Sequence, residues 1–170
     1  MIYTRYHSPL GYILLSSADG SLTGLYFEDQ IPPEQSIETK TSLDPVIQAA
    51  IQWLDAYFAG KQPSPALLPL RPAGSPFQQR VWQMLLEIPY GDTITYGQLA
   101  KHFPGKMSAQ AVGQAVGKNP ISIIIPCHRV LGSDNHLTGY AGGIDKKVWL
   151  LTHEGYSESS FKYPKKHRGK

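Results

Sequence analysis

Five prolines fall within the sixteen residues "KQPSPALLPLRPAGSP", Lys61 to Pro76. Proline lacks a backbone N–H and fixes φ, so this stretch suits neither a helix interior nor a central strand. It reads as a linker or crossing strand that divides the chain into two units. On its N-terminal side, "MIYTRYHS", "GYILLSSA" and "SLTGLYFE" are rich in Tyr, Ile, Leu and Thr, with turns at "SPLG" and "ADGS". That pattern predicts a small antiparallel meander. "IPPEQSIETKTS" reads as a loop. The helical spacing of Val46, Ile47, Ala50, Ile51, Leu54 and Phe58 then predicts a helix with Asp44 as N-cap, Pro45 in its first turn and Gly60 as its stop. A helix with one apolar face must bury it, and the meander is the available partner.

Beyond the prolines the period is helical. "SPFQQRVWQMLLEIPYG" has Ser75 as cap, Pro76 in the first turn and Val81, Trp82, Leu85 and Ile88 inward. "TITYGQLAKHFPG" gives a short helix, with Thr95 as cap and Leu99, Ala100 and Phe103 inward. "KMSAQAVGQAVGKNP" gives another, ended by Asn119-Pro120. These two, joined by the tight "FPGKMS" turn, have the spacing of a helix-turn-helix. A last helix, "DKKVWLLTHEG", is expected to be capped by Asp145 and closed by Gly155. The fold expected is α+β. A small N-terminal antiparallel sheet with helix occupies residues 1–74 and a mainly helical unit residues 75–156. A basic, disordered tail is expected over 157–170.

Charge narrows the partners only slightly. Up to Ser75 the chain carries a net −3, and from Pro76 onward +6, together the overall +3. A basic half suggests a polyanion. Much of that charge sits in the tail, however, and without Lys162 to Lys170 the second half is near neutral at +1. No basic leader followed by a long apolar run opens the sequence, and no eighteen-residue apolar stretch occurs, so a membrane is not the expected partner. The helix "SAQAVGQAVG" is built from Ser, Ala, Gly, Val and Gln. Small residues suit either close approach to a sugar-phosphate wall in a narrow groove or tight packing against another helix. The sequence leaves both open.

The only cysteine, Cys127, lies in "NPISIIIPCHRVLG". One cysteine forms no internal disulfide, which fits a reducing cytoplasm, and excludes a multi-cysteine zinc site. A lone cysteine after an apolar run is most simply an inert core residue. Against that, Cys127 sits beside His128 and Arg129, and an electropositive setting favours a thiolate. In an extended segment neighbouring side chains point to opposite faces. A direct Cys127–His128 contact is then awkward, and a water relay or a bend after Pro126 is easier.

The octapeptide "IPCHRVLG", with "SPFQQRVWQMLLEIPYGDTITYGQLA", "AVGQAVGKNPISIIIPCHRVLG" and "LTGYAGGIDKKVWLLTHEG", resembles the O6-alkylguanine-DNA alkyltransferases, the methylated-DNA–protein-cysteine methyltransferase family. The resemblance is dense from Ser75 to Gly155; before that only the layout, a short sheet with helix, is similar. It implies an RNase H-like N-terminal part and a winged helix-turn-helix-like second part.

The resemblance further implies direct repair, without cofactor or metal. Double-stranded DNA is bound through its minor groove and an alkylated base is flipped into a pocket. Cys127 then takes the alkyl group from guanine O6 in one irreversible step. O4-alkylthymine as a second substrate, and clustering of a monomeric protein on DNA, stay open. The expected site is cytoplasmic, on the nucleoid if the source is bacterial.

By resemblance His128 acts through a water on Cys127, Glu154 orients His128, Asn119 braces the active-site turn and Tyr96 protonates guanine N3. Tyr140, Ala141, Gly142, Gly143 and Val130 form the substrate pocket. Tyr96, Gly97, Lys106, Ser108, Ala109, Gln110, Ala111, Gly113 and Ser133 face DNA, with Lys101 and Lys118 as further cations. One position departs from the family pattern: Gln110 stands where an arginine finger normally precedes "AVG". A damage sensor or DNA-binding regulator without efficient transfer is the alternative, and a Cys-His hydrolase a weaker one.

Overall fold

The computed structural model describes residues 2–31, 44–140 and 142–162. Most of the loop read at "IPPEQSIETKTS", the pocket residue Ala141 and the tail beyond residue 162 lie outside the described residues. The chain forms two compact units. The first comprises Met1–Gly74 with Pro120–Ile124, and the second Ser75–Asn119 with Ile125–Lys170. Among the described residues, no helix is long and apolar enough to cross a membrane.

In the first unit, β1 (Ile2–Ser8), β2 (Gly11–Ala18) and β3 (Ser21–Phe27) form an antiparallel sheet in sequence order. Asp19 and Gly20 turn β2 into β3 with φ of 50° and 79°. Two positive φ values are what a two-residue hairpin needs to match strand twist, and Asp-Gly tolerates them. Helix α1 (Pro45–Phe58) starts where expected, with the Asp44 carboxylate accepting from the Ile47 N–H at 3.0 Å. Its buried face is rotated from expectation, because Trp53 and Tyr57 are buried where Ile51 and Phe58 are only half-buried. The two aromatic rings stack at 5.6 Å, and the Trp53 indole donates to Ser64 O at 3.0 Å, so that side gains both area and a hydrogen bond. The proline-rich stretch runs as a crossing strand: Leu22 N–H donates to Pro69 O and Arg71 N–H to Leu22 O, each at 2.8 Å.

The apolar run "ISIII" is not the extended segment expected. It makes one parallel bridge, Ile121 with Leu25, and then turns. Ile123 takes a φ of 70°, unfavourable for a β-branched residue, and Ile124 N–H donates back to Ser122 O at 2.8 Å. Its residues up to Ile124 are buried and belong to the first unit, although they lie within the sequence of the second; Ile125 returns to the second unit.

The second unit is mainly helical: α2 (Pro76–Leu86), α3 (Tyr96–Ala100), α4 (Ala109–Gly117) and α5 (Ile144–His153). Two-residue strands β4 (Ile94–Thr95) and β5 (Val130–Leu131) pair in parallel. Both α2 and α3 open with capping boxes, Ser75 with Gln78 and Thr95 with Gln98. Trp82 of α2 is buried, and its indole donates to Ala115 O of α4 at 2.8 Å.

Helix α5 departs from expectation at its start. Its N-cap is Gly143, at a φ of 97°, and Asp145 lies inside the first turn. There a carboxylate still faces the positive helix end without closing it. Residues 157–162, expected in the disordered tail, are held. Phe161 is buried with Leu131, Leu137 and Leu151, and Lys162 exchanges backbone hydrogen bonds with Asn135 and Leu137. The apolar Phe161 in an otherwise basic stretch is the physical reason.

Replacing Ser75 with Ala removes one half of the α2 capping box. It should lower the unfolding free energy in urea by about 1 kcal/mol; a loss below about 0.3 kcal/mol would mean the box contributes little.

Candidate active site

The site lies in the second unit. After Pro126 the chain bends into a 3-10 turn, Cys127–Arg129, as the bend considered from sequence requires. All three residues are buried. Asn119 reaches across the "ISIII" excursion: its Nδ2 donates to Ile125 O at 2.8 Å. Asn119 thus pins together the two ends at which the chain leaves and re-enters this unit.

Two of the turn's side chains converge on one carboxylate. His128 Nε2 lies 2.6 Å from Glu154 Oε2, and Arg129 Nε donates to Glu154 Oε1 at 2.7 Å. Arg129 also donates through Nη1 to Ile88 O at 2.7 Å, beyond the end of α2. Glu154 is the C-cap of α5, a place where a free carboxylate would face the negative helix end. Its side chain turns instead to these two donors.

Electrostatics assign the protons. Burial pushes Glu154 upward, but the hydrogen bonds from His128 and Arg129 and the Arg129 charge outweigh that and hold it below its ordinary value. Burial holds His128 below its ordinary value, against the pull of Glu154. A neutral imidazole beside a carboxylate places its proton on Nε2, a tautomer assigned from the network. Nδ1 is then a buried lone pair, with no protein hydrogen-bond partner among the described residues. Burial pushes the Cys127 thiol up, while Asn119, Lys147, the turn's backbone and Tyr140 pull it back.

Cys127 lies at a cavity of about 40 Å³ that Tyr96, Gly113, Val116, Gly117, Asn119, Gly139 and Tyr140 complete. Four of these, Tyr96, Gly113, Gly117 and Gly139, also line an open groove of about 730 Å³, with Gly97, Ala109, Gln110, Ser133 and Thr138. The groove answers the question left by the small residues of α4. Val112, Ala115 and Val116 form its packed face. Ala109 and Gly117 are exposed, and a Cβ placed on Gly117 would meet no atom within 4 Å. Helix packing therefore does not require glycine there.

Other expected site residues fall elsewhere. Ser108 caps α4 by accepting from Ala111 N–H at 3.0 Å. Neither it nor Ala111 nor Lys106 is among the groove lining. Val130 is fully buried in β5, paired with Ile94, and does not line the cavity. Gly142 is buried, and its carbonyl accepts from Lys146 Nζ at 3.2 Å. Gly143 is the N-cap of α5. Among the described residues no cluster of His, Cys, Asp and Glu could hold a metal.

The sequence reading missed Lys147 and Thr138. Lys147 is fully buried, and burial lowers it to about 8 despite the opposing pull of Cys127. Its Nζ donates to Thr138 Oγ1 at 3.3 Å, and that oxygen lies 2.8 Å from the Tyr96 hydroxyl. A signal existed. Lys147, Leu150, Leu151 and Glu154 follow one helical stripe, and charges on an apolar stripe need a reason.

Two domain models match the chain. The 6-O-methylguanine DNA methyltransferase ribonuclease-like domain matches residues 1–72, and the DNA binding domain of the same proteins residues 76–156. A methylated-DNA–protein-cysteine methyltransferase of Haemophilus influenzae is 45% identical over 152 residues, 89% of this chain and 84% of that one. One from Methanosarcina acetivorans is 43% identical over 158 residues, 91% of this chain and 99% of that one. The crystal structure of Mycobacterium tuberculosis OGT in complex with DNA superposes with a TM-score of 0.80 at 39% identity, covering 95% of each chain. An O6-methylguanine DNA methyltransferase from Methanococcus jannaschii gives 0.64 at 28% identity, covering 95% of this chain and 99% of that one.

Glu154→Gln leaves Arg129 buried without its counter-charge and should cost about 3 kcal/mol of stability at neutral pH. The folded-state pKa of Glu154 lies below its unfolded value. Its stabilisation is therefore complete above roughly pH 5 and fades as pH falls toward the folded value. Urea unfolding of both proteins should show their difference shrinking below about pH 4; a constant difference would contradict the assignment.

Proposed function

The chain belongs to the methylated-DNA–protein-cysteine methyltransferase family, and on that premise we propose that it repairs DNA by taking the alkyl group of O6-alkylguanine onto Cys127. The observation that carries this reading is the buried Cys127 beside a neutral His128, itself anchored by Glu154, at a cavity that shares its walls with an open groove. His128 Nδ1 accepts the thiol proton through a bridging water, and Glu154 stabilises the imidazolium that results. The thiolate displaces guanine from the alkyl carbon: one S–C bond forms and one C–O bond breaks. Tyr96 gives its phenolic proton to N3 of the departing base. The thioether is not hydrolysed, so each chain acts once.

Helix α4 lies along the minor groove, where Ala109, Gly113 and Gly117 let the sugar-phosphate wall approach, and the damaged base turns out toward Cys127. A volume of 40 Å³ holds about one water and no purine. Entry of the base therefore moves the segment at Gly139 and Tyr140 outward. The protein works as a monomer in the cytoplasm.

Gln110 is exposed on α4 and lines the groove. It keeps a planar hydrogen-bonding head and lacks the charge and stacking guanidinium of an arginine. The base is accordingly held out of the stack less firmly. Gln110→Arg should raise the transfer rate on duplex DNA about tenfold, the equivalent of ~1.4 kcal/mol from a stacked cation. An unchanged rate would refute the role given to position 110.

Incubation with excess duplex carrying methyl-labelled O6-methylguanine should load one label per chain, and none on Cys127→Ser. Tight binding of damaged duplex without label transfer would replace this reading with that of a damage sensor.

A further inference from the structure

Of the described residues that line the open groove on α4, none carries a charge. Ala109, Gly113 and Gly117 form one stripe of that lining, with almost no side-chain bulk. Beside the stripe, one helical turn apart, stand Gln110 and Gln114, both exposed. Apart from Tyr96 they are the longest side chains of the lining. Gln110 occupies the arginine-finger position. Gln114 belongs neither to the cavity at Cys127, nor to the packed face of Val112, Ala115 and Val116, nor to either helix cap.

The chemistry of the minor groove says what such a side chain meets there. Its edge carries acceptors, adenine N3 and thymine O2, and one donor, the 2-amino group of guanine. Lysine and arginine can only donate, so they leave that amino group unmatched. A carboxamide both donates and accepts, and a G·C pair can engage both of its ends. Spacing sets the register. Four residues of α-helix rise about 6 Å, and base pairs stack about 3.4 Å apart. With Gln110 at the flipped nucleotide, Gln114 lies about two base pairs further along the groove.

We infer that Gln114 is a specificity-determining residue that reads the base pair about two steps from the lesion. Its carboxamide oxygen accepts from the guanine 2-amino group at that step. This rests on the placement of α4 along the minor groove proposed above. An A·T pair at the same step offers acceptors alone, so it meets the carboxamide N–H and leaves the oxygen without a base donor. Lesions with G·C at that step are therefore repaired faster than lesions with A·T there. Because Gln114 is uncharged, this contact neutralises no phosphate and releases no counterion.

The test is the second-order rate of methyl transfer from O6-methylguanine duplexes in which inosine replaces guanine at one G·C pair at a time, on either side of the lesion. Inosine lacks only the 2-amino group. Gln114→Ala puts the best helix former on an exposed helix position, so the fold is kept. On the all-guanine duplex it should be slower by about fivefold, the worth of one hydrogen bond. Inosine at the step about two pairs from the lesion should slow the wild type by a similar factor, and should slow Gln114→Ala no further. The slope of log rate against log salt should be the same for both proteins. A Gln114→Ala protein at the wild-type rate, an inosine effect of equal size in both proteins, or a slope changed by the substitution would each overturn the assignment. Those outcomes leave Cys127 methylation by the wild type intact, whereas its absence would overturn the repair reading beneath.

Discussion

The buried carboxylate of Glu154 is the interaction on which the second unit depends. One oxygen accepts from His128 and the other from Arg129, and Arg129 continues to the carbonyl of Ile88. Three parts of the chain, the end of α2, the turn at Cys127 and the end of α5, are thereby tied at one point. Removing a buried charge's partner costs far more than the pair gains over apolar packing. The arrangement is therefore not an economical way to build a core. Its chemical consequence is a neutral imidazole with a fixed tautomer next to a cysteine. The turn's other anchor is Asn119, which closes the "ISIII" excursion through Ile125 O and is one of the groups that lower the cost of a charged sulfur.

The charges around Cys127 divide into two systems. Glu154 and Arg129 compensate one another and hold His128. Lys147 has Thr138 as its hydrogen-bond partner and is compensated only when Cys127 is a thiolate.

Much of this was legible in the sequence. Alternating strands, the Asp44-Pro45 and Ser75-Pro76 helix starts, and the bend after Pro126 all follow from local rules, and the structure places them where those rules do. Where the reading failed, tertiary context decided. Four β-branched residues out of five suggested an extended segment, but Ile123 takes a left-handed φ where the chain turns back. Asp145 looked like a cap by type, and Gly143 became one because its backbone could take a positive φ. Phe161, with the backbone hydrogen bonds of Lys162, draws residues 157–162 out of a basic tail and onto Leu131 and Leu151. Glu154 and His128 were found by resemblance. Lys147 was not, although its position on the Leu150–Leu151 stripe marked it, and Thr138 left no local signal because its contacts, with Tyr96 and Lys147, are tertiary.

The central claim is that His128 is held neutral, with its proton on Nε2 toward Glu154 and a buried lone pair on Nδ1. Heteronuclear NMR of the protein with labelled imidazole nitrogens reads this directly. At neutral pH the account predicts a protonated Nε2 and an unprotonated Nδ1 for His128. An imidazolium, or a proton on Nδ1 with Nε2 bare, would contradict it.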